Sequence, residues 1–258
     1  MTDNKDINNK IKIFFATPCF GAQVSCNFTN SLIQTINLFR EYNIECCYSF
    51  LPNQIVTRAR NILTHRFLKT DSTHLFFIDA DIEFRPIDVI EMIKNDKSIC
   101  VGLYANKRYI DNKDISYNDI SNNNLFYKSI QYSSTFEQNI NSLENNKLIK
   151  IKHGATGFML IKRNVLEKLK TMVKSFNWSD LNNIYAFFNC EVYNNQYLTE
   201  DYYFCQLWKD FCKKHNEENT DSLIDDNIWA DLSININHEG WNSFQGNPLR
   251  SFNVISNK

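Results

Sequence analysis

The chain has 258 residues, 43% of them apolar, which is enough for one sizeable core or two small ones. Its 28 Lys and Arg balance 29 Asp and Glu to a formal net charge of -1, so bulk attraction to nucleic acid or to an anionic membrane surface is excluded. The 36 asparagines beside only 6 glycines and 4 prolines reflect AT-rich coding rather than a designed low-complexity tract.

Residues 1–10 are polar and read as a disordered tail. The apolar run behind them, Ile11 to Ala16, is too short for a signal sequence or a membrane span, so a cytoplasmic location is expected. Lys12 to Thr17 is a predicted strand closed by Pro18, and Asn30 to Tyr42 a helix with Leu32, Ile33, Ile36 and Phe39 on its inner face. A strand follows over Glu45 to Phe50. The next helix covers Gln54 to Lys69, with Ile55, Ala59, Ile62, Leu63 and Phe67 inward and Arg58 and Arg60 near its start. His74 to Phe84, HLFFIDADIEF, reads as one long central strand ending in acid. Pro86 opens a helix through Ile93, and Ser98 to Leu103 is a further strand.

Alternating strands and helices predict an α/β fold with a mixed, mainly parallel central sheet flanked by helices, in one domain over 1–258. Residues 109–147 are rich in Asn, Ser and Tyr and read as a peripheral loop and hairpin excursion. Beyond them come a strand from Leu148 to Lys152, the run GATGFMLIKR (Gly154 to Arg163), and helices over Asn164 to Val173 and Glu200 to Lys213. A strand near Ile228 to Asp231 and the stretch Ile234 to Gly240 follow. The eight cysteines show neither a C-x-x-C pair nor zinc spacing and are expected to be reduced core thiols.

Three features carry chemistry. Asp79-Ala80-Asp81 is uninformative as a triplet in a chain with 17 aspartates, but it falls at the carboxyl end of a buried strand, where open α/β sheets bind ligands. Two acids there repel unless a cation neutralises them, and a hard divalent ion holding a diphosphate does so; the alternative is a solvated acidic turn. Thr199-Glu200-Asp201 opens an amphipathic helix, where the acids suit the helix dipole and Thr199 the N-cap. If that helix start faces the same cleft, one carboxylate can take a proton from an attacking hydroxyl. His238-Glu239-Gly240-Trp241 supplies a neutral imidazole, a ligand type for manganese, in a place where a structural histidine is the alternative.

Seven runs occur in order: IFFATPCFG (Ile13 to Gly21), LPNQIVTRARN (Leu51 to Asn61), THLFFIDADIEF (Thr73 to Phe84), VGLYANKR (Val101 to Arg108), HGATGFMLIKR (His153 to Arg163), TEDYYFCQLW (Thr199 to Trp208) and HEGWNSFQG (His238 to Gly246). Together they resemble the GT-A glycosyltransferases of large DNA viruses and phages, similar to the rhamnosyltransferase domain of chloroviruses. The resemblance implies a D-x-D pair in which Asp81 binds the metal directly and Asp79 reaches the ribose, or the metal through water, with His238 completing the metal site. It implies Asp201 as the base of an inverting transfer, with Glu200 orienting the acceptor. Thr17, Pro18, Arg58, Arg60, Asn61 and Ala80 would build the nucleotide pocket, and Lys107 and Arg108 would close over the diphosphate. Gly154, Thr156, Gly157 and Trp241 would line the sugar and acceptor side.

The implied cofactor is a divalent metal, Mn2+ first and Mg2+ second. The implied donor is a nucleotide sugar, with uridine diphosphate as the expected nucleotide and a glycan or glycoprotein as acceptor; a viral source would place it in the host cytosol or a viral factory. Tyr109 to Asn146 and Lys174 to Leu198 match nothing in that family. A sugar-nucleotide pyrophosphorylase needs a glycine-rich basic loop after the first strand, but Pro18 to Gln23 holds one glycine and no basic residue. A phosphatase with an aspartyl nucleophile carries its D-x-D on the first strand, and a silent nucleotide- or sugar-binding module would keep the fold without the full set of acids.

Overall fold

A computed structural model describes residues 11–109, 130–136, 147–240 and 244–247. In β1, Lys12–Cys19, side chains alternate between two buried faces, Ile13 and Phe15 on one and Phe14 and Ala16 on the other. The strand runs on through Pro18, which as an X-Pro position tolerates extended backbone. Helix α1, Cys26–Glu41, is capped by the Ser25 hydroxyl on the Phe28 N–H and buries Phe28, Leu32 and Phe39. Ile33, expected inward, is 53% exposed, because the helix starts four residues early and its buried stripe is set by Phe28.

β2, Glu45–Pro52, leads into α2, Val56–Leu68, and Ile55, also expected inward, stands outside the helix with 64% exposure. The expected long third strand is two: β3, His74–Ile78, stops at Asp79, and β4, Ile82–Glu83, pairs elsewhere. Helix α3, Pro86–Lys94, and β5, Ile99–Gly102, follow, then β6, Ala105–Tyr109, and β7, Ile130–Tyr132, which pair with each other. β8, Ser134–Phe136, lies within the expected peripheral excursion yet forms an edge strand of the main sheet against β9, Leu148–Gly154. Residues 110–129 and 137–146 of that excursion lie outside the described residues.

β10, Phe158–Lys162, runs into α4, Arg163–Leu169, shorter than expected. Residues 174–198, unassigned in the sequence, form two hairpins: β11, Ser175–Trp178, with β12, Leu181–Tyr185, and β13, Glu191–Tyr193, with β14, Gln196–Leu198. Helix α5, Glu200–Glu218, β15, Ile228–Asp231, β16, Asn237–His238, and β17, Phe244–Gln245, complete the chain.

The main sheet has the order β2-β1-β3-β10-β5-β15-β9-β8. β2, β1, β3, β5, β15 and β8 run one way, with β10 and β9 against them, so six of the eight strands share a direction. Residues from α2, α4 and α5 form a core with Phe14, Phe77, Val101 and Met159 on one face of the sheet. Residues from α1 and α3 form a second with Phe15, Phe76, Cys100 and Phe158 on the other. The α/β class with helices flanking a mixed sheet therefore stands, and the central strands read as unbroken apolar runs because both faces are covered.

All eight cysteines are free thiols, but only Cys19, Cys100, Cys205 and Cys212 are buried, and Cys26 is exposed. Among the described residues no helix is long and apolar enough to cross a membrane.

Candidate functional site

The carboxyl ends of β1 and β3 open on a cleft of about 960 Å³, lined by Pro18, Gln54, Arg60, Asp79, Asp81 and His238 among others, a size within the usual range for small-molecule sites. β3 ends there because the backbone turns: the Asp79 N–H donates to the Gly157 carbonyl at 2.9 Å, and the Ser25 N–H of the α1 cap donates to the Ala80 carbonyl at 2.8 Å. A Cβ at Gly157 would stand 2.4 Å from the Tyr104 hydroxyl and 2.8 Å from Asp79 Oδ2, so only glycine lets β10 lie against both.

Arg60, only 3% exposed, joins the two acidic motifs. Its Nη2 donates to Asp79 Oδ1 at 2.9 Å, its Nε lies 3.5 Å from Glu200 Oε1, and its guanidinium sits 5.1 Å from the Phe77 ring centroid. Buried charges persist when paired, and here one cation serves two carboxylates. Burial, and then the charge of Asp201, push the Glu200 carboxyl up, against the pull of Arg60. Burial also pushes the Tyr104 hydroxyl far up, helped by the charges of Asp79 and Asp201, so it stays protonated between the two motifs.

Asp81 and His238 meet across the β4–β16 pairing, in which His238 stands opposite Ile82 and the Glu239 N–H donates to the Asp81 carbonyl at 2.8 Å. A carbonyl can only accept, so the 2.8 Å contact of His238 Nδ1 with Ala105 O assigns the proton to Nδ1. The other ring nitrogen, Nε2, lies 3.5 Å from Asp81 Oδ2. The Lys107 ammonium also lies on Asp81 Oδ2. Burial opposes ionisation of Asp81, but hydrogen bonds and charge from His238 and Lys107 outweigh it and hold the carboxyl down at about 2.

The carboxylate and imidazole suit a hard or borderline divalent cation, and the His-to-carbonyl hydrogen bond is the usual support of a ligating histidine. Asp79 does not join them directly: its Oδ1 is held by Arg60, and among the described residues no three His, Cys, Asp or Glu side chains converge as a metal cluster.

Thr199 occupies the N-cap position of α5 without capping it, since its hydroxyl donates to Asp201 instead. Asp201 Oδ1 also accepts from the Tyr202 N–H at 2.8 Å, and among the described residues no cationic side chain lies within ion-pair distance of Asp201. Pro18 and Ala80 line the cleft, whereas Thr17 is 99% buried beside it. Asn61 spends its amide on the Phe188 backbone, donating to O at 3.0 Å and accepting from N at 2.9 Å, so it braces the wall behind Arg60.

Arg58 faces away from the cleft and lies 3.6 Å over the Trp178 ring. Gly154 is a packing position, where a Cβ would meet Val101 at 2.7 Å. Thr156 is buried with a hydroxyl that has no hydrogen-bond partner among the described residues. The Arg108 side chain and Trp241 lie outside the described residues. Sequence reading passed over Tyr104, whose ring stands edge-on to His238 at 5.0 Å, and Gln54, although each sits inside one of the quoted runs; a lone hydroxyl in an apolar run and a Gln–Arg pair four apart were the available signals.

No protein-family model matches the chain, and no curated protein matches it by sequence. Among solved structures, A197 from STIV is similar at 18% identity over 96% of this chain and 98% of that one, with a TM-score of 0.47. A glycosyltransferase involved in the glycosylation of the major capsid of PBCV-1 aligns at 9% identity over 62% of this chain and 63% of that one, with a TM-score of 0.29. UDP-glucose pyrophosphorylase complexed with UDP-glucose aligns at 10% identity over 86% and 90%, with a TM-score of 0.37. The functional reading therefore rests on the chemistry of the cleft.

Proposed function

We propose that the chain is a glycosyltransferase that moves a sugar, with inversion, from a nucleoside diphosphate to a hydroxyl of a glycan or glycoprotein. The observation that carries this reading is buried Arg60, which ties Asp79, the near neighbour of the Asp81–His238 pair at the cleft, to Glu200 at the start of α5. Asp81 and His238 would hold the divalent cation, Mn2+ first. When bound, such an ion supplies Lewis-acid charge that stabilises the departing diphosphate.

The remaining chemistry falls to the chain's own groups. Lys107, already beside Asp81, meets the diphosphate as a second positive charge. Asp79, fixed by Arg60 at the end of β3, orients the donor's ribose. The acceptor oxygen attacks the anomeric carbon, its proton passes to the Asp201 carboxylate, and the bond from that carbon to the diphosphate oxygen breaks with the electron pair leaving on the nucleotide. One displacement with one base inverts the centre, as in inverting glycoside hydrolases. Glu200, tied to Arg60, holds the first turn of α5 in register with the cleft.

The loop after β1 does not favour a pyrophosphorylase: it brings no basic side chain to the cleft and leaves Phe20 95% exposed at its tip. A thermal-shift series of nucleoside diphosphates and nucleotide sugars, with and without Mn2+, tests the reading. A ligand that binds only the folded state raises the melting temperature, and the largest rise is expected with UDP plus Mn2+. No shift with any nucleotide contradicts the proposal.

A further inference from the structure

Beyond the acids, the cleft wall changes character. Phe20, Val24, Ile55 and Val56 line it and are all exposed, Phe20 by 95% and Ile55 by 64%. Exposed apolar side chains gathered in one concave wall give flat contact to a ring and offer it no charge. Gln54 stands among them, and the direction of its amide is determined. Its Oε1 accepts from Arg58 Nε at 2.7 Å. Arginine has no acceptor, so the atom facing it must be the oxygen. Arg58 in turn is fixed by stacking 3.6 Å over Trp178 on β11, in a hairpin that packs through β12 on α2. The Gln54 amide nitrogen has no protein partner among the described residues, so the polar group this side chain can offer a ligand is a donor.

We propose that Gln54 is the nucleobase-specificity residue of this cleft: its amide N–H selects a base whose hydrogen-bonding edge carries a carbonyl, as uracil does, over one that carries an amino group there, as cytosine does. Trp178, outside the cleft, is a positioning residue that acts through Arg58. The inference rests on the nucleoside-diphosphate reading above and adds to it the group that chooses the base. An amino group placed against the Gln54 N–H sets donor against donor and leaves both unpaired, which costs more than the missing bond alone.

The test is calorimetric binding of UDP and CDP, each with Mn2+, to the full chain. The wild type is expected to bind UDP about tenfold tighter than CDP. Gln54→Glu keeps one oxygen on Arg58 and turns the other to the base as an acceptor, so the ratio inverts in favour of CDP. Gln54→Met, which offers no hydrogen bond, brings the two within about twofold. Trp178→Ala lowers the ratio, whereas a purely structural loss would weaken both ligands equally. If Gln54→Glu fails to fold, the Gln54→Met ratio decides. Equal binding of UDP and CDP by the wild type, or a tenfold preference that survives Gln54→Met, overturns this inference and leaves the donor reading intact. Failure of both nucleotides to bind overturns the donor reading, and this inference with it.

Discussion

Two acidic pairs built to the same plan end in different electrostatic states. In each, one carboxylate, Asp79 or Glu200, is fastened to Arg60, and its neighbour, Asp81 or Asp201, is not. Asp81 has Lys107 and His238 beside it and is held down at about 2, while Asp201 has, among the described residues, the Thr199 hydroxyl and the Tyr202 N–H as its hydrogen-bond donors. The acids fastened to Arg60 differ as well, since burial and the neighbouring Asp201 push Glu200 up. Under the proposed function this difference would divide the labour, with the first pair serving an anionic donor and its cation and the second transient acceptance of a proton.

The shared cation gives the strongest way to break this comparison. Arg60→Ala leaves Asp79 and Glu200 both without their partner, and a loss of about 3–5 kcal/mol in unfolding free energy is expected at pH 7 by denaturant titration. Adding Asp79→Asn and Glu200→Gln to that variant returns part of the loss, because a neutral amide is cheaper to bury than an unpaired carboxylate. If Arg60→Ala melts like the wild type, the bridge is not what holds the two pairs in register.

Acid titration sharpens the comparison by separating the pairs from the scaffold. His74, at the start of β3, is held down to about 4 by burial and then by the Lys162 charge, below the 6.5 of an exposed imidazole. Its folded value is the lower one, so the stability it contributes is fully present above about 6.5 and is lost as pH falls through about 4, up to about 3 kcal/mol in all. Asp81, at about 2 against an ordinary 3.8, contributes stability that is present above about 4 and lost as pH falls through about 2. Stability curves should therefore show two acid limbs: His74→Gln removes the upper one, and Asp81→Asn the lower. A single limb unaffected by either substitution contradicts the assignment.

The smallest effect belongs to Gly157. Gly157→Ala pushes a methyl toward the Tyr104 hydroxyl and Asp79 Oδ2, and overpacking of this kind costs about 1–3 kcal/mol. It should weaken donor binding more than it slows Asp201 chemistry, which separate measurements of KM and kcat would show.

The sheet was legible because β1, β3, β5 and β10 are apolar on both faces, and the two motifs were legible because acids end an apolar strand and open a helix. The break after Ile78 was not: in sequence HLFFIDADIEF is continuous, and only the pairing of β4 with β16, which also delivers His238 to Asp81, divides it. Ile33 and Ile55 were misread because apolar periodicity assigns a face without saying where the helix begins. Arg60 read as a ligand contact, since nothing local shows that it would be shared by residues 19 and 140 positions away. The hairpins of residues 175–198 were unassigned because positive backbone angles at Ser179, Asn194 and Asn195 make the turns without glycine.

The division of labour between the pairs is tested most directly by assaying donor binding and sugar transfer side by side in Asp81→Asn and Asp201→Asn. Asp81→Asn is expected to lose Mn2+-dependent UDP affinity and transfer together. Asp201→Asn should bind UDP with Mn2+ as the wild type does, while transfer falls about 10³-fold. Near-normal transfer by Asp201→Asn, or Mn2+-dependent UDP binding that survives Asp81→Asn, would contradict the account.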